Sequence, residues 1–329
     1  MKTFSLGRHL CAIGIVLGAL AFPLPVAAQF PDRPVHLVVP VGPGGGTDLL
    51  AREIAQKLSE AWGQPVVVEN RTGGGGIIGA QTVTKAAADG YTLLLSHDGV
   101  ITATPVLYTR PDFDPLKQLA PITQLATIPY LVVVNPSVPA KSISELIALM
   151  KEKTARKEMF GFATSALGSA DHLSGERFKI AAGVDMLIVP YKSTLPAMSD
   201  VIAGHLPMGF FSIPSAQPQV KGGTLRALGI TSSERSSLFP DLPTVSETLP
   251  GFVTGAWYGL WAPAGTPPAI VEKISADVRR IVQSPDIAAY MLKNGFDAAT
   301  STPAEFAEFI KTDSTKTAQV IKSANVRLE

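Results

Sequence analysis

Short apolar runs recur along this chain. Each is bounded by proline or glycine, and each is followed by a glycine- or hydroxyl-rich loop and then an amphipathic stretch. His36-Leu-Val-Val39 lies between Pro34 and Pro40, and Pro65-Val-Val-Val-Glu69 and Tyr91-Thr-Leu-Leu-Leu-Ser96 follow it. Runs of this length with such flanks read as buried strands. Between the first two, Leu50, Ile54, Leu58 and Trp62 recur every four residues, the spacing of one helical face, and Gly63 and Pro65 end it. Strands alternating with helices mean βαβαβ units, an α/β fold and a parallel sheet.

The rest of the chain repeats the theme. Leu131–Val134, Phe160–Thr164, Met186–Val189, Met208–Phe211, Leu225–Ile230 and Trp257–Trp261 read as strands. Helices are expected from Ser142 or Ser144 to Met150, Asp171 to Ala182, Ser199 to Ala203, Ala269 to Gln283 and Pro303 to Lys322. The chain ends in helices with no new sheet to cover, so they are expected to return to the first unit. That makes two lobes, 29–125 plus 253–329 and 126–252, joined by crossings near Gln124–Thr127 and Phe252–Thr254. Two crossings make a hinge and leave a cleft between the lobes.

Composition narrows the function. The 329 residues carry 28 basic and 27 acidic side chains, which excludes a strongly basic nucleic-acid surface. The chain has one cysteine, so neither a disulfide scaffold nor a cysteine-rich metal site is available. No two histidines fall at metal-ligand spacing, and no metal is expected. Lys2 and Arg8 precede an apolar run, Leu10–Leu24, and Pro25-Val-Ala-Ala28. This pattern reads as a signal peptide cleaved after Ala28. An uncleaved anchor is the alternative, but the run is short and broken by Pro23. The mature chain is thus expected to be exported, soluble and free of cysteine.

The sharpest local feature is Pro40-Val-Gly-Pro-Gly-Gly-Gly-Thr-Asp48, between a strand and a helix. Backbone N–H groups at a helix start attract anions, and glycines let a ligand approach closely. Val41, Gly42, Pro43, Thr47 and Asp48 are candidate contacts, with Thr47 also a candidate N-cap. The segment nearly matches a dinucleotide fingerprint, with Glu69 about 20 residues on where a ribose contact belongs. It departs from it at Pro43 and at Thr47. A different anion, a nucleotide and a purely structural turn therefore all stand as readings. A second run, Asn70 to Gly79, is read as a tight turn with close helix packing. Thr164-Ser-Ala-Leu-Gly-Ser-Ala-Asp-His172 occupies the equivalent place in the second unit. There Thr164, Ser165, Ser169, Ala170 and His172 are candidate contacts, and Ser169 doubles as an N-cap. Ser96 and His97 end a strand, where α/β proteins bind ligands. Tyr191 and Lys192 end another, with Lys192 a candidate counter-charge. His36 is expected in the core and His205 in a solvated turn. A nucleophile elbow, a Walker motif and a thiol are lacking. Ser165, Asp171 and His172 are too close in sequence to stack as a relay.

These motifs, in their order, resemble one family. Phe30-Pro-Asp-Arg-Pro-Val35, Pro43-Gly-Gly-Gly-Thr-Asp48, Gly63-Gln-Pro-Val-Val-Val-Glu-Asn-Arg71 and Asp89-Gly-Tyr-Thr-Leu93 open the series. Gly168-Ser with His172-Leu, Val189-Pro-Tyr-Lys192, Pro240-Asp-Leu-Pro-Thr244 with Glu247, and Trp261-Ala-Pro-Ala-Gly-Thr-Pro267 complete it. The chain resembles the Bug family of periplasmic solute receptors associated with tripartite tricarboxylate transport. The resemblance implies a two-lobed type II periplasmic-binding-protein fold that closes on a small mono- or dicarboxylate. It implies that Thr164, Ser165, Ser169 and His172 hold one carboxylate. It also implies that Val41, Gly42 and Pro43 bridge the other end through waters, with Thr47 and Asp48 beside them. Ser193 after Lys192, and Gly204-His-Leu-Pro207, depart from the family pattern.

The reading is a carboxylate receptor rather than an enzyme, without cofactor, monomeric, delivering its ligand to membrane permease subunits. An exported nucleotide-dependent oxidoreductase, or a ligand-presenting partner of a membrane kinase, are the alternatives.

Overall fold

The computed structural model describes residues 30–324 apart from 45, 109–111 and 192. The leader with its cleavage site, and Lys192, lie outside the described residues. In the first unit, β1 (Val35–Val39), β2 (Val66–Asn70) and β3 (Thr92–His97) alternate with α1 (Gly46–Trp62) and α2 (Ile77–Thr84). A π-helical turn, Gly99–Ala103, and two short helices, α3 (Thr104–Leu107) and α4 (Pro115–Gln118), lead to a long strand, β4 (Leu119–Val134). The second unit runs α5 (Ile143–Ala155), β5 (Gly161–Thr164), α6 (Ala170–Ala182), β6 (Leu187–Pro190) and α7 (Thr194–Ile202). It continues with β7 (Met208–Ser212), α8 (Ile213–Lys221) and β8 (Arg226–Ile230). The chain closes with β9 (Gly255–Pro263), α9 (Pro268–Val282), α10 (Pro285–Lys293), β10 (Asp297–Ala298) and α11 (Pro303–Ser323).

The two units share one plan. β2-β1-β3 and β6-β5-β7 are each parallel, in the order second, first, third. The loops after β1 and β5 therefore leave equivalent central strands at their C-terminal ends, the edge where α/β sheets present ligand sites. The expected parallel sheet is found inside each unit, but the whole is mixed. β4 and β9 are antiparallel to their neighbours because they connect the units rather than belong to βαβ repeats.

β4 pairs with β9 from Leu119 to Pro129, then with β7 and β8 from Tyr130 to Val134. One strand thus passes between two half-sheets, changing partners a few residues beyond the expected Gln124–Thr127. Pro121 and Pro129 hid its continuity in the sequence. Register shifts between Pro121 and Thr123 and between Gln124 and Ala126 accommodate the irregular pairing. The second crossing comes back beside it. Buried Thr231 ties both together: the Tyr130 N–H donates to its hydroxyl at 2.8 Å, and its own N–H donates to the Tyr130 carbonyl at 2.9 Å. The same hydroxyl donates to the Thr254 carbonyl, and the Thr254 N–H returns a bond to the Thr231 carbonyl at 3.1 Å.

Helix packing follows the predicted faces. Leu50, Ile54 and Leu58 of α1 are buried, and the Trp62 indole donates to Asp277 of α9 at 2.8 Å. α11 returns to the first unit as expected, with Phe306 lying so close over Gly259 that an added Cβ would stand 2.2 Å from it. It also reaches the second unit. Arg177 of α6 stands 3.6 Å from Asp313 and donates to Thr317 at 3.2 Å. His36 corrects an expectation: it is the outward residue of β1, half-exposed, with Nδ1 2.6 Å from Glu69. It lies on the same face as the buried Val38, but next to the start of the strand, where that face is open and Glu69 is at hand.

Replacing Thr231 by Val keeps its volume but removes an acceptor from one crossing and a donor from the other. The expected cost is about 1–3 kcal/mol, the price of leaving buried backbone groups unpaired. Chemical denaturation of Thr231→Val beside Thr231→Ser checks it. The serine variant should keep most of the stability, and equal stability of all three proteins would show that the hydroxyl carries no load.

Candidate functional site

In the first loop, Val41 is half-buried, and Gly42 and Pro43 are exposed. α1 begins at Gly46, so Thr47 sits inside the first turn rather than capping it. Asp48 is 2 % exposed. One of its carboxylate oxygens accepts from the Gly44 N–H at 2.8 Å and from Arg52 Nε at 3.0 Å, and the other accepts from Asn70 Nδ2 at 2.9 Å. The Asn70 amide also donates to the Val41 carbonyl at 3.0 Å. Asp48 therefore latches the loop onto α1 and the end of β2. Burial pushes its carboxyl up, but the Arg52 guanidinium, the Gly44 N–H and the Asn70 amide together outweigh this and hold it below the usual carboxylate range. Glu69, the ribose contact of a dinucleotide site, is bonded to His36 and Arg71 instead. The second glycine run is the turn that its sequence suggests: Gly73 to Gly76 all take positive φ, and Gly75 accepts from Thr104 at 3.2 Å.

In the second loop, the organising residue is Asp171, which sequence reasoning considered only as a relay member. Its carboxylate accepts from the Thr164 hydroxyl at 2.8 Å, the Ser165 N–H at 2.6 Å and the Ser165 hydroxyl at 2.7 Å. Acidic residues in the first turn of a helix suit its dipole, and that was the signal available. Ser169 is the N-cap of α6, accepting from the His172 N–H and donating to the Ala166 carbonyl at 2.6 Å. His172 is 1 % exposed, and its Nδ1 accepts the Gly168 N–H at 2.9 Å. The ring is an internal anchor of the loop rather than a surface group. Burial is the main cause that pushes its pKa down, so it stays neutral. Ser165 bonds Asp171 and not His172, so the three form no relay. Among the described residues, the N–H groups of Ala170 and Asp171 in the first turn of α6 make no hydrogen bond.

The first loop touches the crossing strands, and the second touches the first unit. Gly168, at φ +79°, lies so close to Leu107 of α3 that a Cβ would stand 2.2 Å from it. Gly46 lies beneath the Tyr258 hydroxyl, 3.2 Å from its Cβ position, with Ile128 at 3.7 Å. Ser96 is fully buried. His97 is partly exposed and pairs in register with Tyr258. Tyr191 is turned to Asp200: its hydroxyl makes a short bond to that carboxylate, and burial and the bond push it up to about 12. A separate cavity of about 1110 Å³ opens on the α11 side of the crossings, with Arg177, Phe252, Trp257, Phe309 and Asp313 in its wall. Among the described residues, none of the candidate contacts of the two loops lines it. Two features of the two loops, their equivalent strand ends and their helix starts, mark them as the candidate site.

The family model of the tripartite tricarboxylate transporter receptor matches residues 50–326. The chain belongs to that receptor family. Protein BugT of Bordetella pertussis is 36% identical over 325 residues, covering 98% of this chain and 99% of its own. Among solved structures, Rpa4515 of R. palustris with adipate has a TM-score of 0.78 at 33% identity, covering 91% of this chain and 99% of that one. MatC from Rhodopseudomonas palustris with bound malate has a TM-score of 0.73 at 32% identity, covering 89% of this chain and all of that one. The receptor family is periplasmic and solute-binding. Among the described residues, no helix is long and apolar enough to cross a membrane.

The Asp48 latch predicts a pH signature. Its folded pKa is depressed, so its contribution is fully present above the unfolded value of about 3.9 and is lost as pH falls through the folded one. Asp48→Asn should cost about 2 kcal/mol at pH 7, the scale of a buried hydrogen bond to a charged group. The gap in melting temperature to the parent should narrow steadily below about pH 4. A gap independent of pH would show that the charge of Asp48 carries none of the stability.

Proposed function

We propose that this receptor is exported with cleavage after Ala28, captures a small mono- or dicarboxylate between its two units, and presents it to the permease subunits of a tripartite transporter. The lobes of this reading are 29–125 plus 253–329 and 126–252, and the working form is a monomer. One observation supports it: two loops of equivalent position each leave the central strand of a half-sheet and open a helix. Each loop is held rigid by its own carboxylate, Asp48 or Asp171, so its backbone N–H groups are already arranged when the ligand arrives. In the second loop the free N–H groups of Ala170 and Asp171 face one carboxylate, with Thr164, Ser165, Ser169 and His172 keeping that loop in shape. In the first, Val41, Gly42 and Pro43 take the other end through waters, beside Thr47. Ser96 and His97 border the site, Tyr191 stands at its rim, and Lys192 is the candidate counter-charge of this reading. The bound adipate and malate of the two similar structures support the ligand class. Closure around the ligand shields these charge-assisted bonds from water.

A thermal-shift screen tests this. The mature protein, refolded to strip retained ligand, is measured against mono-, di- and tricarboxylates, aromatic acids, NAD and ATP. A ligand at 100 times its Kd adds about 2.7 kcal/mol, a rise of several degrees for a chain of this size. The expected result is a rise with one carboxylate class. A rise with NAD or ATP alone would replace the receptor reading with the nucleotide one.

A further inference from the structure

Three polar residues at and beside the crossings are buried and, among the described residues, their side chains make no hydrogen bond. They are Asp98, 8 % exposed, and Tyr130 and Tyr258, 8 % and 7 % exposed. Asp98 Oδ1 is sealed from solvent and has no hydrogen-bond partner. Buried polar groups in folded proteins are nearly always paired, and an unpaired one is costly. One sealed acceptor, with two phenols nearby that no protein group engages, indicates a site whose partner arrives from outside.

The geometry sets them beside the first loop, with Asp171 of the second acting on one of them. Asp98 directly follows β3, whose last residue, His97, pairs with Tyr258. The Tyr258 hydroxyl lies 3.2 Å from the Cβ position of Gly46, at the helix start of the first loop. Tyr130 shares a strand face with Ile128, which packs on that same Gly46. Burial pushes both phenols up, and the Asp98 carboxylate adds to this at each. Asp171, in the second loop, bears on Tyr130 as well. The phenols therefore stay protonated and donate, while Asp98 accepts.

The neighbours of Asp98 cannot satisfy it. His97 Nδ1 is 3.7 Å away and already accepts the Gly99 N–H at 3.1 Å, so it has no proton to give. Asp171 is itself an acceptor with three bonds, and Asp313 takes the Trp257 indole N–H at 3.1 Å. A ligand carboxylate alone would meet the loops and phenols well but would leave Asp98 unpaired and repelled. A hydroxyl on the carbon chain of the acid gives Asp98 its partner, and an ammonium also offsets the repulsion.

We propose that Asp98, with Tyr130 and Tyr258, forms the floor of the ligand site and selects acids bearing a hydroxyl or ammonium over the same acids without one. This rests on the carboxylate-receptor reading above. A site built to bond an OH or NH group rejects the analogue that lacks it.

Calorimetry on the stripped protein with matched triplets tests it: propionate, lactate and alanine; succinate, malate and aspartate; glutarate, 2-hydroxyglutarate and glutamate. Within the triplet that binds, the hydroxy or amino member should bind at least about tenfold tighter than the plain acid, about 1.4 kcal/mol. Which of the two is tighter tells hydroxyl from ammonium. Asp98→Ala should remove the preference, narrowing the ratio between the substituted and the plain acid to within about twofold. Asp98→Asn, which keeps an acceptor but no charge, should reduce an ammonium preference more than a hydroxyl one. The preference of the unmutated protein stands as a test even if the variants fold poorly. Plain acids binding as tightly as their substituted partners would overturn the inference, with an ordered water as the partner of Asp98, and would leave the receptor reading intact. So would a preference that survives Asp98→Ala in a folded protein. Binding of no acid in the panel would overturn both.

Discussion

The Thr231 hydroxyl holds two chain crossings side by side, accepting from Tyr130 and donating to Thr254. The rest of the architecture depends on that junction. A single strand, β4, belongs to both half-sheets, so each unit is completed by residues that also complete the other. Neither half-sheet has a boundary of its own at this point. Movement of one unit against the other must be absorbed in the few residues around Pro129, Tyr130 and Thr254, where sheet partners change. Ser174 of α6 bonds the Thr254 side chain at 2.8 Å, which couples the helix that starts at the second loop to the same junction.

The candidate site is built by two internal carboxylates doing similar work. Asp48 draws Gly44, Arg52 and Asn70 around the first loop. Asp171 draws Thr164 and Ser165 around the second. Each is an acidic residue in the first turn of a helix, favoured there by the exposed N–H groups, and each satisfies donors that would otherwise be free to rearrange. Several residues that looked like ligand contacts are thereby engaged within the protein. The Ser169 hydroxyl caps α6, the His172 ring is buried, and the Thr164 and Ser165 hydroxyls are turned to Asp171. The backbone of these loops, rather than their side chains, is what the architecture leaves available.

Much of the organisation was legible because it rests on periodicity and local chemistry. The strands of the two units, the α1 face with Leu50, Ile54 and Leu58, and the return of α11 follow from burial patterns that a linear sequence displays. The Ser169 cap was legible too, since a serine before a helical run satisfies a free N–H wherever it occurs. The long β4 was not, because prolines at 121 and 129 look like strand ends unless the pairing irregularities that accommodate them are visible. Nor was the role of Asp171, whose partners are set by how the loop folds back on its helix.

The sequence by itself determined the α/β class, the two-unit plan, the family and the two loops that open helices, because apolar spacing, glycine placement and motif order are properties of the chain. Only the tertiary structure decided that Asp98, Tyr130 and Tyr258 are buried with side chains that no protein group engages. They are separated by 32 and 128 residues of chain, and neither periodicity nor composition says which distant side chains share a buried space. Whether a buried polar group has a partner is settled by the packing around it, and that is a property of the fold alone.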